Sequence, residues 1–182
     1  MHLVPPSLPC LRQLVAGDLA AASRESGLSF AGRPWPDDLE MREGLAVHLS
    51  GCEQNLRDRL WRVYMIATDD DVAVGHAGFK GAPSRQGELE VYWCVEPRFR
   101  GQGIATAAAL SLMTHAFDQA AVRVIIATIE WHNIASQRVA TAVGMDPVAD
   151  ELKHGLPLWR VARDGWHRGL SPVTVQVSVE DS

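Results

Sequence analysis

Residues 90–109 read as a strand, a glycine-bearing turn and the start of a helix, and every other element has to be placed around that unit. Val91, Trp93 and Val95 alternate with Glu90, Tyr92 and Cys94, a two-residue period rich in β-branched and aromatic types. Pro97 denies the strand another backbone donor and ends it. Gly101 and Gly103 allow a tight turn or a close approach to a ligand, and the alanine-rich run from Ile104 has high helix propensity. A helix that starts after such a turn leaves N–H groups unpaired at the positive end of its dipole. This is an anion site, most often for phosphate.

The chain has 182 residues, 47% of them hydrophobic, enough for one substantial core. The expected organisation is one domain over residues 1–165 followed by a tail, 166–182. A formal net charge of −5 argues against nucleic acid or an anionic membrane as partner, so phosphate chemistry should be local, near Arg98 and Arg100. Cys10, Cys52 and Cys94 are far apart and lack Cys-x-x-Cys spacing; they read as buried thiols in a reducing compartment. The N-terminus lacks the pattern of a signal peptide and no run reaches the length of a membrane span, which makes the cytoplasm the expected location.

Along the chain, Pro5, Pro6 and Pro9 leave room for a short edge strand over Cys10–Val15. Asp18 caps a helix over Leu19–Ser26 that Gly27 ends. After a loop, Asp37 or Asp38 begins a helical region carrying Leu39, Leu45, Leu49, Leu56 and Leu60, with a bend near Gly51. Trp61–Thr68 and Val72–Lys80 form an antiparallel hairpin about Asp69–Asp71. The organising strand and helix follow, the helix ending near Asp118. Val124–Ile126 marks a strand covered on both faces; Val139, Ala140 and Val143 mark a helix closed by Gly144. Met145–Val148 and Leu156–Arg163 are the last strands, and the alternating Val173–Val179 tail is an extra edge strand or an extended segment. The order implies a mixed α/β (α+β) sheet with helices on its faces.

A P-loop string is absent, and Gly101-Gln-Gly103-Ile-Ala-Thr106 lacks the third glycine of a dinucleotide fingerprint. Arg98-Phe-Arg-Gly101-Gln-Gly103 instead resembles the acyl-CoA signature of the GNAT acetyltransferase superfamily. Val74-Gly-His-Ala-Gly-Phe-Lys looks like the third strand of its RimJ/RimL-like branch, and Asn133-Ile-Ala-Ser136 through Gly144-Met is similar to that branch's later helix. The three motifs cover roughly residues 60–147. The resemblance implies a GNAT fold: a mostly antiparallel sheet of six to seven strands, splayed between the fourth and fifth, with about four flanking helices.

It also implies acetyl-CoA as cofactor and a transfer of acetyl to a primary amine of a small molecule or a protein N-terminus. The pantetheine arm would pair with Cys94, Val95 and Glu96, and the pyrophosphate would meet Arg98 and the stretch Arg100, Gly101, Gln102, Gly103, Ile104 and Ala105. Glu90 stands where the family places a carboxylate; neighbouring acids and rings would raise its pKa and make it a base, the alternative being a salt-bridged or solvated strand residue. His76 is a competing base or a packed histidine. The family's tyrosine acid has no counterpart, since only Tyr64 and Tyr92 exist. Ser136 then donates to the sulfur, or caps its helix; Asn133 is a pantetheine partner or a turn residue.

Trp35, Asp37, Asp38, Glu40, Glu43, Trp131, His154 and Trp159 flank the expected acceptor mouth, with Trp35, His76 and Trp131 foremost as substrate contacts. The rival class is a GNAT-fold module that holds CoA without turnover. The tail's alternation can add a strand to a neighbour's sheet, so a homodimer is a further expectation.

Overall fold

The computed structural model describes residues 1–30, 39–54 and 61–166. Among these the chain runs β1 (His2–Val4), α1 (Leu8–Ala16), α2 (Leu19–Ser26), α3 (Leu39–Gln54), β2 (Val63–Ala67), β3 (Ala73–Phe79), β4 (Glu88–Val95), α4 (Ile104–Asp118), β5 (Val124–Thr128), α5 (Ile134–Ala142), β6 (Asp146–Lys153) and β7 (Leu156–Ala162). The strands form a single seven-stranded sheet in the order β1-β2-β3-β4-β5-β7-β6. Neighbours pair antiparallel except β4 and β5, which run parallel and are joined across α4.

Strand alternation divides the apolar residues between two cores. On one face Ile66, Val74, Phe79, Leu89, Val91, Ile125 and Val161 pack with Ala108, Leu112 and Met113 of α4 and Ala140 of α5. On the other, Val63, Met65 and Ala67 pack with Cys10, Leu11 and Leu14 of α1, Ala22 of α2 and Leu45 of α3. The α4 stripe over Ala108, Leu112 and Ala116 buries as its spacing predicts. Trp166 also belongs to the domain: its Nε1 donates to the Val143 carbonyl at 3.2 Å and its ring lies 5.1 Å from Phe117. The alternating part of the tail lies outside the described residues.

Several expectations change. Cys10–Val15 is helix, not strand: Cys10, Leu11 and Leu14 fall on one helical face, Ser7 caps by accepting from the Cys10 N–H, and Pro9 sits in the first turn, where its missing donor costs nothing. The first strand is His2–Val4 instead. The edge strand β6 extends to Lys153, with an irregular register between Pro147 and Leu152. Of the three cysteines only Cys10 is buried; Cys52 and Cys94 are half-buried, and none is in a disulfide.

Helix α3 runs unbroken through Gly51. Gly44 and Gly51 have no positive φ, and a Cβ at either would meet nothing within 4 Å, so neither conformation nor packing requires glycine. Replacing each by alanine should raise stability by about 0.5–1 kcal/mol, through reduced backbone entropy in the unfolded chain. Denaturant titration of Gly44→Ala and Gly51→Ala measures the gain, and a loss at either position would show a packing role for the glycine.

Candidate active site

The parallel pairing of β4 with β5 extends only over Glu88–Val124, Leu89–Ile125 and Glu90–Ile126. Beyond Glu90 the strands splay, while β4 stays paired with β3 as far as Val95. Lys80 N–H donates to the Glu90 carbonyl and Glu96 N–H to the Val74 carbonyl, both at 2.9 Å. Backbone groups alternate along a strand, so Glu90, Tyr92, Cys94 and Glu96 direct theirs to β3, and Val91, Trp93 and Val95 direct theirs into the gap. Of the expected pantetheine contacts, Val95 faces the gap, whereas the backbones of Cys94 and Glu96 serve the β3 ladder. Trp93 joins Val95 at the open edge, a position that counting from the proline alone does not reveal.

Past β4 the chain makes a short 3₁₀ turn, Pro97–Phe99, and enters α4 through two glycines in the left-handed region, Gly101 at φ 76° and Gly103 at φ 79°. Gly103 is the N-cap and provides no side-chain acceptor. The first intrahelical bond is Ala107 N–H to the Gly103 carbonyl, so Ile104, Ala105 and Thr106 have N–H groups without helical acceptors. The arginines brace this turn. Arg98 donates to both oxygens of buried Glu96 at 2.9 and 3.1 Å, and Arg100 Nε donates to the Val95 carbonyl at 2.8 Å. Gln102 reaches the Arg98 carbonyl at 3.5 Å.

At the point of divergence lies a charged cluster. The Glu90 side chain, 8% exposed, is 2.8 Å from Lys80 Nζ and 3.2 Å from Lys153 Nζ. Thr128 Oγ1 donates to it at 2.8 Å, and Lys80 donates to Thr128 at 3.1 Å. Lys153 also reaches Glu88 at 3.2 Å, which puts both carboxylates on one face as the alternation requires. Burial alone would raise the pKa of Glu90, but the hydrogen bond and charge of Lys80, with the bonds from Thr128 and Lys153, hold it below the ordinary value. The expectation of a raised pKa is therefore reversed, because the decisive neighbours are cations from β3 and β6 that proximity along β4 cannot show. The pKa of Lys153 moves up: its own burial opposes the charge, and the bonds to Glu88 and Glu90 outweigh that.

The other sequence candidates are dispersed. Asn133 is the N-cap of α5, accepting from the Ser136 N–H at 3.0 Å, which leaves the Ser136 hydroxyl outside the cap and overturns Ser136 as the capping residue. Gln137 ties the preceding loop by donating to the carbonyls of Glu130 and Trp131 at 3.2 and 3.0 Å. Trp131 is 72% exposed. His76 is buried, its ring 5.6 Å from that of Tyr92. Trp159 is core and His154 lies exposed in the β6–β7 turn at φ 55°. Trp35, Asp37 and Asp38 fall outside the described residues, as do the side chains of Glu40 and Glu43 in α3.

Sequence reasoning missed a groove of about 430 Å³ between α3 and the ends of β2 and β3. It is lined by Gly44, Val47, His48, Gly51 and Cys52 on the helix and by Trp61, Phe79, Lys80, Gly81 and Tyr92 opposite. The spacing of the helical five at i, i+3, i+4, i+7 and i+8 is the available signal. His48 Nε2 accepts from the Val63 N–H at 2.9 Å, and burial, then the charge of Arg62, lowers its pKa. Burial and then Cys94 raise that of Tyr92. Both side chains are thus held neutral.

Residues 10–146 match the family described as an acetyltransferase (GNAT) domain. The chain belongs to this family. GNAT relatives include an uncharacterized N-acetyltransferase, YnaD, from Bacillus subtilis, 31% identical over 92 residues, which are 50% of this chain and 54% of that protein. The match thus spans about half the length of that curated relative. Among solved structures, a spermidine N-acetyltransferase SpeG chimera from Vibrio cholerae and hSSAT is similar at TM-score 0.63 and 12% identity, over 90% of this chain and 97% of that one. A GNAT-family acetyltransferase from Bordetella pertussis gives 0.60 at 22% identity, covering 88% and 94%. RimL, a ribosomal L7/L12 α-N-protein acetyltransferase in complex with coenzyme A, gives 0.59 at 19%, covering 90% and 94%. The seven-stranded sheet splayed between β4 and β5 is the GNAT fold. No described helix is long and apolar enough to cross a membrane.

Glu90→Gln should destabilise the domain by about 1–3 kcal/mol near neutral pH, since it leaves two ammonium groups without their shared carboxylate. The folded pKa lies below the ordinary 4.5, so this contribution is fully present above that value and fades as pH falls through the lowered one. Unfolding measured from neutral to acid pH should show the two proteins converging. A constant difference across that range would contradict the ion-paired carboxylate.

Proposed function

We propose that the protein is an acetyl-CoA-dependent N-acetyltransferase of the RimJ/RimL-like branch, acting in the cytoplasm on a primary amine of a small molecule or a protein N-terminus. The observation that carries this reading is the open edge of β4 beside the uncapped start of α4. A phosphate-bearing ligand with an amide-containing arm needs both, and the residues fit it: free amides at Ile104, Ala105 and Thr106, glycines with open space where a Cβ would stand, and an edge at Trp93 and Val95 that has no strand beside it, the Val95 carbonyl being held by Arg100. When bound, acetyl-CoA supplies an activated acetyl thioester.

The chain's own residues then have separable tasks. The α4 amides hold the pyrophosphate with little help from basic side chains, consistent with a net charge of −5. Trp93 and Val95 align the pantetheine arm, and Asn133, its Oδ1 engaged as a cap, offers the amide nitrogen to the same arm. Ser136, freed from capping, is the donor for the departing thiolate. Glu90 receives the amine proton along the Thr128 hydroxyl that already points at it.

The ion pairing of Glu90 favours a second reading, a module that holds CoA without turnover. Thiol release with a panel of amines and N-terminal peptides separates the two: release supports the transferase, and binding without release supports the module. A valine at Gly103 must adopt a φ near 79°, which a β-branched residue resists. Gly103→Val should weaken coenzyme A binding by at least about tenfold in calorimetry, a cost of ~1.4 kcal/mol or more. Unchanged affinity would remove the α4 turn as the pyrophosphate site.

A further inference from the structure

We propose that Lys80 is a self-acetylation site, taking the acetyl group of bound acetyl-CoA onto its own side-chain nitrogen and so releasing Glu90 from one of its two cations. The donor comes from the acetyl-CoA reading above, on which this rests. The first observation is a pattern of residue use. Of the 17 lysine and arginine side chains in the chain 15 are arginine, and the two lysines, Lys80 at the end of β3 and Lys153 on β6, both meet the Glu90 carboxylate. An ion pair alone does not call for lysine, because arginine stays charged and grips a carboxylate at least as firmly. The chain uses Arg98 for buried Glu96 and Arg12 for Glu53. What lysine adds is a nitrogen that can give up its proton and be acylated.

Position selects Lys80. Its Nζ lies 2.8 Å from Glu90 on β4 and 3.1 Å from the Oγ1 of Thr128, the last residue of β5, so it spans the two strands where their pairing stops. An arm whose phosphates sit on the α4 amides, at the Val95 end of the gap, runs toward this closed end, and the strand from Val95 back to Glu90 covers about 17 Å. The Lys80 side chain is 48% exposed, whereas Lys153 is bonded to Glu88 and Glu90 together. In the step, Lys80 gives one proton to the carboxylate it touches. The neutral nitrogen then bonds to the acetyl carbonyl carbon as the carbon–sulfur bond breaks, its second proton leaves with the thiolate as coenzyme A thiol, and Glu90 passes its proton to water. The product amide keeps one N–H for Glu90 or Thr128 and carries no charge.

The consequence falls on Glu90. Glu88, Glu90, Lys80 and Lys153 are two carboxylates and two ammonium groups, and acetylation leaves one ammonium between two carboxylates. Burial pushes the Glu90 carboxyl up, and the hydrogen bond and charge of Lys80 are the chief opposition to it. With that charge gone Glu90 becomes the better base, so the modification turns an ion-paired carboxylate into one suited to the amine proton.

Intact-mass and peptide mass spectrometry test this on the full chain incubated with acetyl-CoA and no amine. The expected result is a gain of one acetyl group, placed on Lys80 at least about tenfold faster than on Lys153 or on either lysine of the chain unfolded in denaturant, with one equivalent of thiol released. Excess coenzyme A should slow the gain, because the donor must be bound, and Lys80→Arg should abolish it. The Glu90 titration, followed by carboxyl-carbon NMR, should lie higher in the acetylated protein than in the unmodified one. Equal labelling of both lysines, labelling that excess coenzyme A leaves unchanged, or an unmoved Glu90 titration would overturn the assignment. No gain of mass overturns it too, and calorimetry with coenzyme A then says what else falls: intact binding leaves the cofactor site standing, and no binding removes both. Amines added afterwards judge the transferase separately. Thiol release that stops at one equivalent keeps the lysine site and sinks the transferase, while continued release without acetylated Lys80 keeps the transferase and sinks the lysine site.

Discussion

The Glu90 carboxylate, held between Lys80 and Lys153 and bonded by Thr128, fixes the place where the sheet changes character. Its partners come from the end of β3, from β5 and from β6, so one buried group ties four strands at the last residue where β4 and β5 pair. Below it the sheet is continuous. Above it β4 keeps β3 and loses β5, and the chain leaves through Pro97 and two glycines into α4. The gap, the helix N-terminus and the groove all take their positions from that junction. A buried carboxylate with two partly exposed lysines adds less to stability than its short distances suggest, because the cost of desolvation offsets much of the attraction. What it contributes is location.

The sequence makes much of the fold legible, for reasons that differ by element. The β2–β3 hairpin, β4, α4 and β5 each carry a clean period, and the turn between β4 and α4 is written in Pro97, Gly101 and Gly103. Asp18 and Gly27 announce α2 at both ends. Residues 8–16 mislead because three prolines suggest an extended edge, whereas Pro9 in the first turn behind Ser7 is compatible with a helix. Local chemistry there supports both outcomes, and packing of Cys10, Leu11 and Leu14 decides.

The site is less legible, because its chemistry comes from residues distant in sequence. Glu90 is visible as a strand carboxylate beside other acids, and its lysine partners, ten residues before and sixty-three after, are not. Ser136 looks like an N-cap until Asn133 is seen to occupy that place. The alternation of backbone bonding exchanges Trp93 for Cys94 and Glu96 at the open edge, a matter of which strand is the partner rather than of composition. The groove escapes notice because its signature, two glycines on one helical face, resembles ordinary helix weakness.

The single parallel pair has one more consequence. Strands β1–β4 come from one continuous length of chain and β5–β7 from another, so the sheet is two leaves with α4 as the spine between them. An extended ligand entering between the leaves would meet backbone groups that no strand occupies, with the Val95 carbonyl already held by Arg100, and would add hydrogen bonds at the edge without breaking any in the sheet. Such a ligand would act as a surrogate strand in a sheet that the chain leaves open between β4 and β5.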